Sequence, residues 1–276
     1  MPDLRPENAA SLKAYTESNR LAWNEVMPLH QKAAKARWDA AFMQPGFVRL
    51  PAVEVEYFKQ TGIEGTDVAH LCCNNGIELL SLKNLGAGTC IGFDISDEAI
   101  KEAQERAQLC HIDCRFVRSD VYEIGDEYNN SFDMVYISTG CLGWLPDLPQ
   151  FFTRAAALLR PHGRVYMHEI HPFCEMLPFD TSVTDDPLRI IDRYFKAEPH
   201  VEYGGLDYVG NAVYEGKAAQ YWFVHTLSDI VTGLIANELS IEYFREYDTA
   251  VSPHQKRIED LKAGVPLSYL MVARKP

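Results

Sequence analysis

The stretch from residue 67 to residue 100 constrains the fold more than any other part of the chain. Its sequence, DVAHLCCNNGIELLSLKNLGAGTCIGFDISDEAI, reads as an apolar strand, a glycine turn, a helix, a second glycine turn and an apolar strand that ends in Asp94. This order is that of a parallel βαβ unit, and an acidic residue at the end of the second strand is typical of nucleotide-binding units. The segment therefore predicts one half of a nucleotide-binding α/β domain.

The same alternation continues downstream and predicts a Rossmann-like fold. Strands are predicted at 67–72, 89–94, 114–118, 132–138 and 163–169, with helices at 76–84, 97–109 and 147–160. This rhythm indicates an α/β domain built on a parallel sheet with helices on both faces. After a helix at 226–237, residues 239–246 and 267–274 predict two final strands that are antiparallel neighbours.

The N-terminal region is predicted to be helical. Residues 7–43 carry apolar residues at helical spacing, and Pro28 and the pair Pro45 and Gly46 predict breaks in that helix. Together with a further helix over 51–60, this predicts a helical cap at residues 1–60. The cap either hides one face of the sheet as additional core or also covers the ligand as a lid.

The remaining residues, 61–276, are predicted to form the Rossmann-like domain with one insertion. Residues 172–210 lose the steady period and are rich in Pro, Asp, Tyr and Gly, which indicates an insertion over about 172–225 beside the active face. One or two added strands are predicted over 212–224. The many aromatic residues near the end of the insertion fit either the wall of a ligand pocket or an added core.

The loop after the first strand distinguishes between nucleotide ligands. A dinucleotide-binding loop needs Gly-x-Gly-x-x-Gly and a P-loop needs Gly-Lys-Ser/Thr. The loop Cys72-Cys73-Asn74-Asn75-Gly76 has one glycine and no lysine. Asn and Gly tolerate left-handed dihedral angles, so the loop can still turn sharply. It suits a ligand whose linker is an amino-acid moiety better than one that carries a diphosphate.

Polar residues follow three further strands at the same predicted edge. Asp94 can accept hydrogen bonds from ribose hydroxyls, and it would repel a 2′-phosphate. Asp120 follows the third strand and can accept a hydrogen bond from the adenine amine. Ser138 and Thr139 begin a turn of small residues after the fourth strand. Because open α/β sheets bind ligands at the carboxyl ends of their strands, these side chains are expected to surround one nucleoside.

The order of these motifs resembles that of the class I methyltransferases that depend on S-adenosylmethionine (SAM). The resemblance covers residues 60–170, and within the class it is to a bacterial group of small-molecule methyltransferase-like proteins. The segments that carry it are His70-Leu71-Cys72-Cys73, Leu85-Gly86-Ala87, Gly140-Cys141-Leu142-Gly143-Trp144-Leu145-Pro146-Asp147 and Glu169-Ile170-His171-Pro172. The chain departs from the usual pattern in its glycine-poor loop and in having Pro161-His162-Gly163 where Pro-Gly-Gly is common.

The resemblance implies the cofactor, the reaction and the cofactor contacts. The reaction is in-line transfer of the methyl group of SAM to an O, N or S atom of a small-molecule acceptor, which leaves S-adenosylhomocysteine. The implied contacts are Leu71, Cys72, Cys73, Asn74 and Gly76 for the methionine part, Asp94, Ile95 and Ser96 for the ribose, and Asp120 and Val121 for the adenine.

Candidates for the chemistry lie at the end of the fifth strand. Since SAM is already activated, the enzyme mainly aligns the reactants and excludes water, and a base is needed only when the acceptor arrives protonated. The predicted catalytic residues are His171, which lies past the strand and can turn over the cleft, and Glu169. A structural role is an equal alternative for both. His168 is expected to be structural, and His225 is a weaker catalytic candidate. No metal is expected, since the sequence has Ser-Thr-Gly where a magnesium-dependent methyltransferase would carry oxygen ligands.

Charge and cysteine content narrow the partners and the compartment. The formal net charge of -13 and the scattered Lys and Arg residues indicate that nucleic acid is not a partner. Seven cysteines without regular spacing indicate a reducing compartment, and the N-terminus lacks a signal-peptide pattern, so a cytoplasmic location is expected. No apolar run predicts a membrane span. The oligomeric state is open, with a homodimer as one option.

Two other functions fit parts of the pattern. A non-catalytic SAM-binding protein would keep Asp94 and Asp120, so the sequence does not separate it from an enzyme. An NAD-dependent oxidoreductase is disfavoured by the loop with a single glycine and by Asp120. The sequence identifies neither the acceptor nor the methylated atom.

Overall fold

The computed structural model describes residues 9–179, 184–206, 209 and 214–276, without the side chains of residues 9 and 10. The helices are α1 (Ala9–His30), α2 (Ala36–Phe42), α3 (Ala52–Thr61), α4 (Ile77–Asn84), α5 (Asp97–Leu109), α6 (Leu148–Leu158), α7 (Leu227–Ala236) and α8 (Lys256–Asp260). The strands are β1 (Val68–Leu71), β2 (Cys90–Asp94), β3 (Arg115–Arg118), β4 (Phe132–Ile137), β5 (Leu159–Ile170), β6 (His200–Tyr203), β7 (Ala219–Trp222), β8 (Ser240–Tyr247) and β9 (Ser268–Arg274).

Seven strands form one sheet in the order β3-β2-β1-β4-β5-β9-β8. Strands β1 to β5 pair in parallel, whereas β9 pairs antiparallel with both β5 and β8. The predicted Rossmann-like α/β fold with antiparallel final strands is thereby confirmed. The strand order reverses between β1 and β4, and this switch point opens a crevice beyond the carboxyl ends of the strands.

The core occupies both faces of the sheet. One apolar cluster packs under α6 and α7 and includes Phe151, Phe152 and Leu234. The other packs under α3, α4 and α5 and includes Phe58, Leu79 and Ala103. Strand β1 is buried along its whole length, as expected for a central parallel strand covered by helices on both sides.

Capping residues determine where the helices of the α/β part begin. The hydroxyl of Ser96 accepts a hydrogen bond from the Ala99 N–H at the start of α5, and the carboxylate of Asp147 accepts one from the Gln150 N–H at the start of α6. The helix α7 begins with a reciprocal capping box formed by Thr226 and Asp229. Ser96 stands two residues after the end of β2, so the N-terminus of α5 lies at the carboxyl edge of the sheet.

The predicted break at Pro28 is wrong, because α1 runs through this residue to His30. The chain then continues through a π-helical turn, Gln31–Lys35, directly into α2. Proline removes one helical hydrogen bond, which other contacts of the helix have to offset. In α1 these contacts include the side chain of Asn19, which bonds to Tyr221 in β7, and the ring of His30, which bonds to the Leu206 carbonyl.

The insertion contains a small antiparallel sheet. The strand predicted over 212–224 is present as β7, although residues 207, 208 and 210–213 lie outside the described part of the chain. Its partner β6 was not predicted, because it is only four residues long and three of them are exposed. The division into a cap at 1–60 and a domain at 61–276 stays a prediction.

Candidate functional site

The loop after β1 turns sharply at the carboxyl edge of the sheet. Three of its residues have left-handed backbone angles, with φ of 55° at Cys72, 47° at Asn74 and 77° at Gly76. A Cβ atom at Gly76 would lie 2.5 Å from Cζ of Phe116, so both the dihedral angle and the space require glycine there. The loop predicted to hold the methionine part of the cofactor is thus closely fitted to the sheet beneath it.

Asp94 joins this loop to the loop after β2. One carboxylate oxygen accepts the Asn74 N–H at 2.7 Å, and the other accepts the Ser96 N–H at 2.8 Å. Burial raises the pKa of Asp94, while hydrogen bonds from these N–H groups and from that of Ile95 act in the opposite direction. A carboxylate has about four acceptor positions, so Asp94 keeps the capacity to bind ribose hydroxyls.

The other residues predicted to contact the cofactor divide into core and cleft. Leu71 and Cys73 have no exposed surface, and the Cys73 thiol lies where a Cβ on Gly92 would clash at 2.7 Å. Cys72 is half-buried, and its free thiol is hydrogen-bonded to the free thiol of Cys141 in the loop after β4. Leu71 and Cys73 therefore act through packing and backbone, whereas Cys72 lies between the two loops.

At the adenine end, Asp120 caps a short turn by accepting the Tyr122 N–H at 3.1 Å. Burial raises the pKa of Asp120, and a hydrogen bond from Thr16 in α1 opposes that effect. Val121 is buried beside it. Asp120 thus stands at the end of β3, as predicted, with α1 directly above it.

The turn after β4 is held from below by two histidines. The Ser138 hydroxyl lies 3.0 Å from Nε2 of His70, whose pKa burial lowers to about 3, so that the ring is neutral. The Thr139 hydroxyl donates to the His168 carbonyl at 3.1 Å. Ser138 and Thr139 are therefore engaged in positioning the loop that follows them.

Glu169, a predicted catalytic residue, is fully occupied by the protein backbone. Its carboxylate accepts the N–H groups of Gly140, Cys141 and Leu142 at 2.7 to 2.9 Å and that of Ile170 at 3.1 Å. Burial raises the pKa of Glu169 and these four donors oppose the shift. Four donors fill the acceptor positions of one carboxylate, so the geometry favours a positioning role over proton transfer.

His171, the other predicted catalytic residue, also has both polar atoms engaged. Its Nδ1 accepts the Phe173 N–H at 3.0 Å, so the proton lies on Nε2, which donates to Glu246 at 2.9 Å. Burial lowers the pKa of His171, and Glu246 partly restores it. The ring caps the short helical turn Pro172–Met176 and has no free nitrogen for an acceptor. Nδ1 of His168 is bonded to Glu54, while its buried Nε2 has no partner among the described residues, and Nε2 of His225 is bonded to the Leu145 carbonyl.

The helix α1 crosses the cofactor edge and contributes residues that the sequence did not single out. The Ser96 hydroxyl donates to Asn24 at 2.8 Å, and the Asn24 amide donates to Asp97 at 2.8 Å. Further along, the amide of Asn19 both donates to and accepts from the backbone of Tyr221 in β7. With Thr16 at Asp120, α1 links the ribose and adenine residues to the insertion.

A second set of unpredicted residues lies on the β4 and β5 side of the cleft. Indole Nε1 of Trp222 donates to Glu175 at 3.0 Å. Burial raises the pKa of Glu175 to about 7. The ring of Trp222 lies 5.0 Å from that of Trp144, which lies 5.4 Å from that of Trp23, so three tryptophans from three elements form a row. Glu175 was not identifiable because it follows β5 in a segment without periodicity.

The described residues contain neither a membrane-crossing helix nor a cluster of metal ligands. Across residues 9–179, 184–206, 209 and 214–276, every helix is too short or too polar to cross a bilayer. Within the same ranges, no three His, Cys, Asp or Glu side chains are grouped closely enough to hold a metal ion.

Part of the chain is similar in sequence to known methyltransferases. Residues 68–163 match the family described as "Methyltransferase domain". The chain is 31% identical over 80 residues (29% of its length) to an uncharacterized protein of Methanocaldococcus jannaschii. It is 35% identical over 79 residues (28% of its length) to the rRNA N(6)-adenosine-methyltransferase of Danio rerio. The matches span 36% and 37% of the length of these curated relatives.

A solved structure extends the likeness to most of the chain. An S-adenosylmethionine dependent methyltransferase from Mesorhizobium loti superposes with a TM-score of 0.59 at 20% identity, over 81% of this chain and 98% of that one. At this level of identity the likeness concerns the fold, including the sheet order that places Asp94 and Asp120 at the carboxyl edge.

Proposed function

We propose that the chain transfers a methyl group from SAM to an O, N or S atom of a small-molecule acceptor, as the match of residues 68–163 to a methyltransferase family suggests. The observation that supports this most directly is the convergence at one edge of the sheet. There the left-handed loop after β1, Asp94 after β2 and Asp120 after β3 meet under α1. This arrangement offers separate places for an amino-acid moiety, a ribose and an adenine.

In the proposed complex, each part of SAM lies over a different strand. The free acceptor positions of Asp94 bind the ribose hydroxyls, and Asp120 binds the adenine amine with Val121 packed beside it. The backbone of residues 72–76 contacts the methionine moiety. Bound SAM supplies a methyl group on a positively charged sulfur that leaves as a neutral thioether.

From the strand order we propose a place for the acceptor. With ribose and adenine over β2 and β3, the methionine moiety lies over β1 and β4, and the acceptor lies beyond it over β4 and β5. That region is covered by α1 and by the insertion, which are joined through Asn19 and Tyr221. The cover excludes water and holds the reactants in line, which are the main contributions that an enzyme makes to this displacement.

The same cover favours a small acceptor over a polymer. One curated relative is by its name an rRNA methyltransferase, which makes RNA the principal alternative. Its match covers 79 residues, 28% of this chain. A net charge of -13 disfavours binding to a phosphate backbone, which needs clusters of Lys and Arg. We therefore propose a small molecule that enters between α1 and the insertion.

Methyl transfer from labelled SAM tests this function directly. The protein is incubated with SAM carrying a labelled methyl group and either a low-molecular-mass metabolite extract or purified rRNA. Label in a small product supports the proposal, and label in the rRNA supports the polymer alternative. Tight binding of S-adenosylhomocysteine without labelled product would favour a non-catalytic SAM-binding protein. NAD binding without SAM binding would favour an oxidoreductase.

A further inference from the structure

We infer that Glu175 is the residue that takes the proton from the acceptor, and that the acceptor is an alcohol, phenol or amine without a negative charge. The inference rests on the proposed function and adds a residue and a substrate class to it. It starts from the polar groups at the carboxyl ends of β4 and β5, where the acceptor is expected.

Glu175 differs from its neighbours in having a free carboxylate oxygen. Glu169 accepts four backbone N–H groups, and both nitrogens of His171 are hydrogen-bonded. His225 is bonded to the Leu145 carbonyl, and His168, whose Nε2 has no partner in the described part of the chain, is fully buried against Glu54 of α3 and out of reach of an acceptor. In Glu175 one oxygen accepts the indole N–H of Trp222, and among the described residues the other accepts no hydrogen bond. A proton acceptor needs such a vacant position within reach of its substrate.

Contacts on two sides place Glu175 beside the methyl end of the proposed SAM site. Its partner Trp222 packs on the loop after β4 so closely that a Cβ atom at Gly143 would lie 2.3 Å from the indole ring. The same loop carries Cys141, whose thiol is hydrogen-bonded to that of Cys72 in the loop after β1. Glu175 therefore adjoins the β4 loop, one layer beyond the residues that are proposed to contact the methionine moiety.

The electrostatic surroundings of Glu175 suit a base that works near neutral pH. Burial is the largest cause of its raised pKa of about 7, and the Trp222 hydrogen bond opposes it. The charged groups that act on it are Glu169 from β5 and Asp192 from the insertion, which raise the pKa, and Lys196, which lowers it. A base whose pKa lies close to the working pH is most effective in proton transfer.

The proposed step balances without any further reactant. The lone pair of the acceptor oxygen or nitrogen forms a bond to the methyl carbon, and the bond between that carbon and sulfur breaks with its electron pair left on sulfur. The proton of the acceptor O–H or N–H passes to the free oxygen of Glu175 and then to solvent. The products are the methylated acceptor, neutral S-adenosylhomocysteine and one proton.

The same surroundings limit the acceptor by charge. Glu175, Glu169 and Asp192 contribute three carboxylates against the single ammonium group of Lys196. An anionic acceptor would be repelled, whereas a neutral or cationic one would not. The half-buried row of Trp23, Trp144 and Trp222 offers aromatic surface for its apolar or cationic part.

The test compares Glu175→Gln with a matched control, Glu198→Gln, an exposed carboxylate of the same insertion. Glutamine keeps an acceptor for the Trp222 indole but takes up no proton. Calorimetry with S-adenosylhomocysteine should give affinities within about twofold of wild type for both variants, because Glu175 lies on the acceptor side. Transfer of labelled methyl groups to the neutral and cationic fractions of a metabolite extract should fall about 10²-fold or more in Glu175→Gln alone. Glu175→Asp should recover part of the loss.

A fluorescence titration checks the same residue without an acceptor. Because the Trp222 indole donates to Glu175, protonation of Glu175 should change the tryptophan emission. Wild type and Glu198→Gln should show this change with a midpoint near pH 7, and Glu175→Gln and Trp222→Phe should not.

The inference is overturned if Glu175→Gln transfers methyl groups at the wild-type rate, or if label enters the anionic fraction. Wild-type protein that yields no labelled product, whether or not it binds S-adenosylhomocysteine, refutes the proposed function itself and the inference with it.

Discussion

At the scale of residues, the carboxylates of the site differ in how much of their acceptor capacity the protein already uses. Asp94 accepts three backbone N–H groups, Glu169 accepts four and Glu175 accepts one indole N–H. A carboxylate with spare positions can bind a ligand, whereas one that is saturated can only hold its loop. The three side chains therefore have different proposed roles although all are buried at the same edge.

Asp94→Ala is expected to weaken the binding of S-adenosylhomocysteine by about 1–3 kcal/mol, since the ribose loses hydrogen bonds to a charged acceptor. Isothermal titration calorimetry measures the change, and Asp113→Ala, at an exposed carboxylate before β3, is the control. Unchanged affinity in Asp94→Ala would remove this residue from the ribose site.

Glu169→Gln is expected to lower the free energy of unfolding by about 2–4 kcal/mol, because an amide NH2 replaces one accepting oxygen and leaves two backbone N–H groups without an acceptor, either those of Cys141 and Leu142 or those of Gly140 and Ile170. Urea denaturation measures it, with Glu198→Gln as an exposed control. A variant with wild-type stability but no turnover would show that Glu169 acts in catalysis, as the sequence had suggested.

The sequence predicted those site residues whose role follows from their position along a strand. Asp94 and Asp120 each follow a recognisable apolar strand, and the structure places both at the expected edge. It could not reveal that Glu169 and His171 are already engaged, because Glu246, the partner of His171, is 75 residues away along the chain. For the same reason the contact of Glu175 with Trp222, 47 residues away, has no local signature.

At the scale of elements, the strongly periodic segments were predictable and the contact-dependent ones were not. The central strands β1 and β4 were predictable because burial on both faces gives nearly uninterrupted apolar runs. The continuous helix through Pro28 and the exposed strand β6 depend on tertiary contacts, such as that between Asn19 and Tyr221, which no local pattern contains.

The junction between β1 and α4 provides a test of how closely the cofactor loop is fitted to the sheet. Gly76→Ala should reduce the free energy of unfolding by about 2–4 kcal/mol, since alanine has an unfavourable left-handed conformation and its Cβ would overlap Phe116. Gly46→Ala is the matched control: its φ is +73° and no atom lies within 4 Å of the added Cβ. It should cost about 1–2 kcal/mol. Equal losses in chemical denaturation would show that the Phe116 contact is unimportant.

At the scale of the whole molecule, α1 connects the two halves of the proposed active site. It bonds to the cofactor edge through Thr16 and Asn24 and to the insertion through Asn19. A ligand that fills the space beneath α1 should therefore stabilise the helix, the cofactor loops and β7 together. The acceptor side would then be organised only once the cofactor is bound.

Hydrogen exchange with and without S-adenosylhomocysteine tests this coupling. A ligand at about 100 times its dissociation constant stabilises the bound state by about 2.7 kcal/mol, so exchange that requires opening of the site can slow by up to about 100-fold. Hydrogen exchange at the amides of α1 and β7 should slow together with exchange at residues 72–76. Exchange in α8, which packs in a separate cluster around Ile258, should stay unchanged.

Asn19→Ala should abolish the slowing of exchange in β7 but preserve it in residues 72–76, because Asn19 holds the backbone of Tyr221. Protection confined to the loops in the unmodified protein would show instead that α1 is a fixed part of the core and not a ligand-dependent cover.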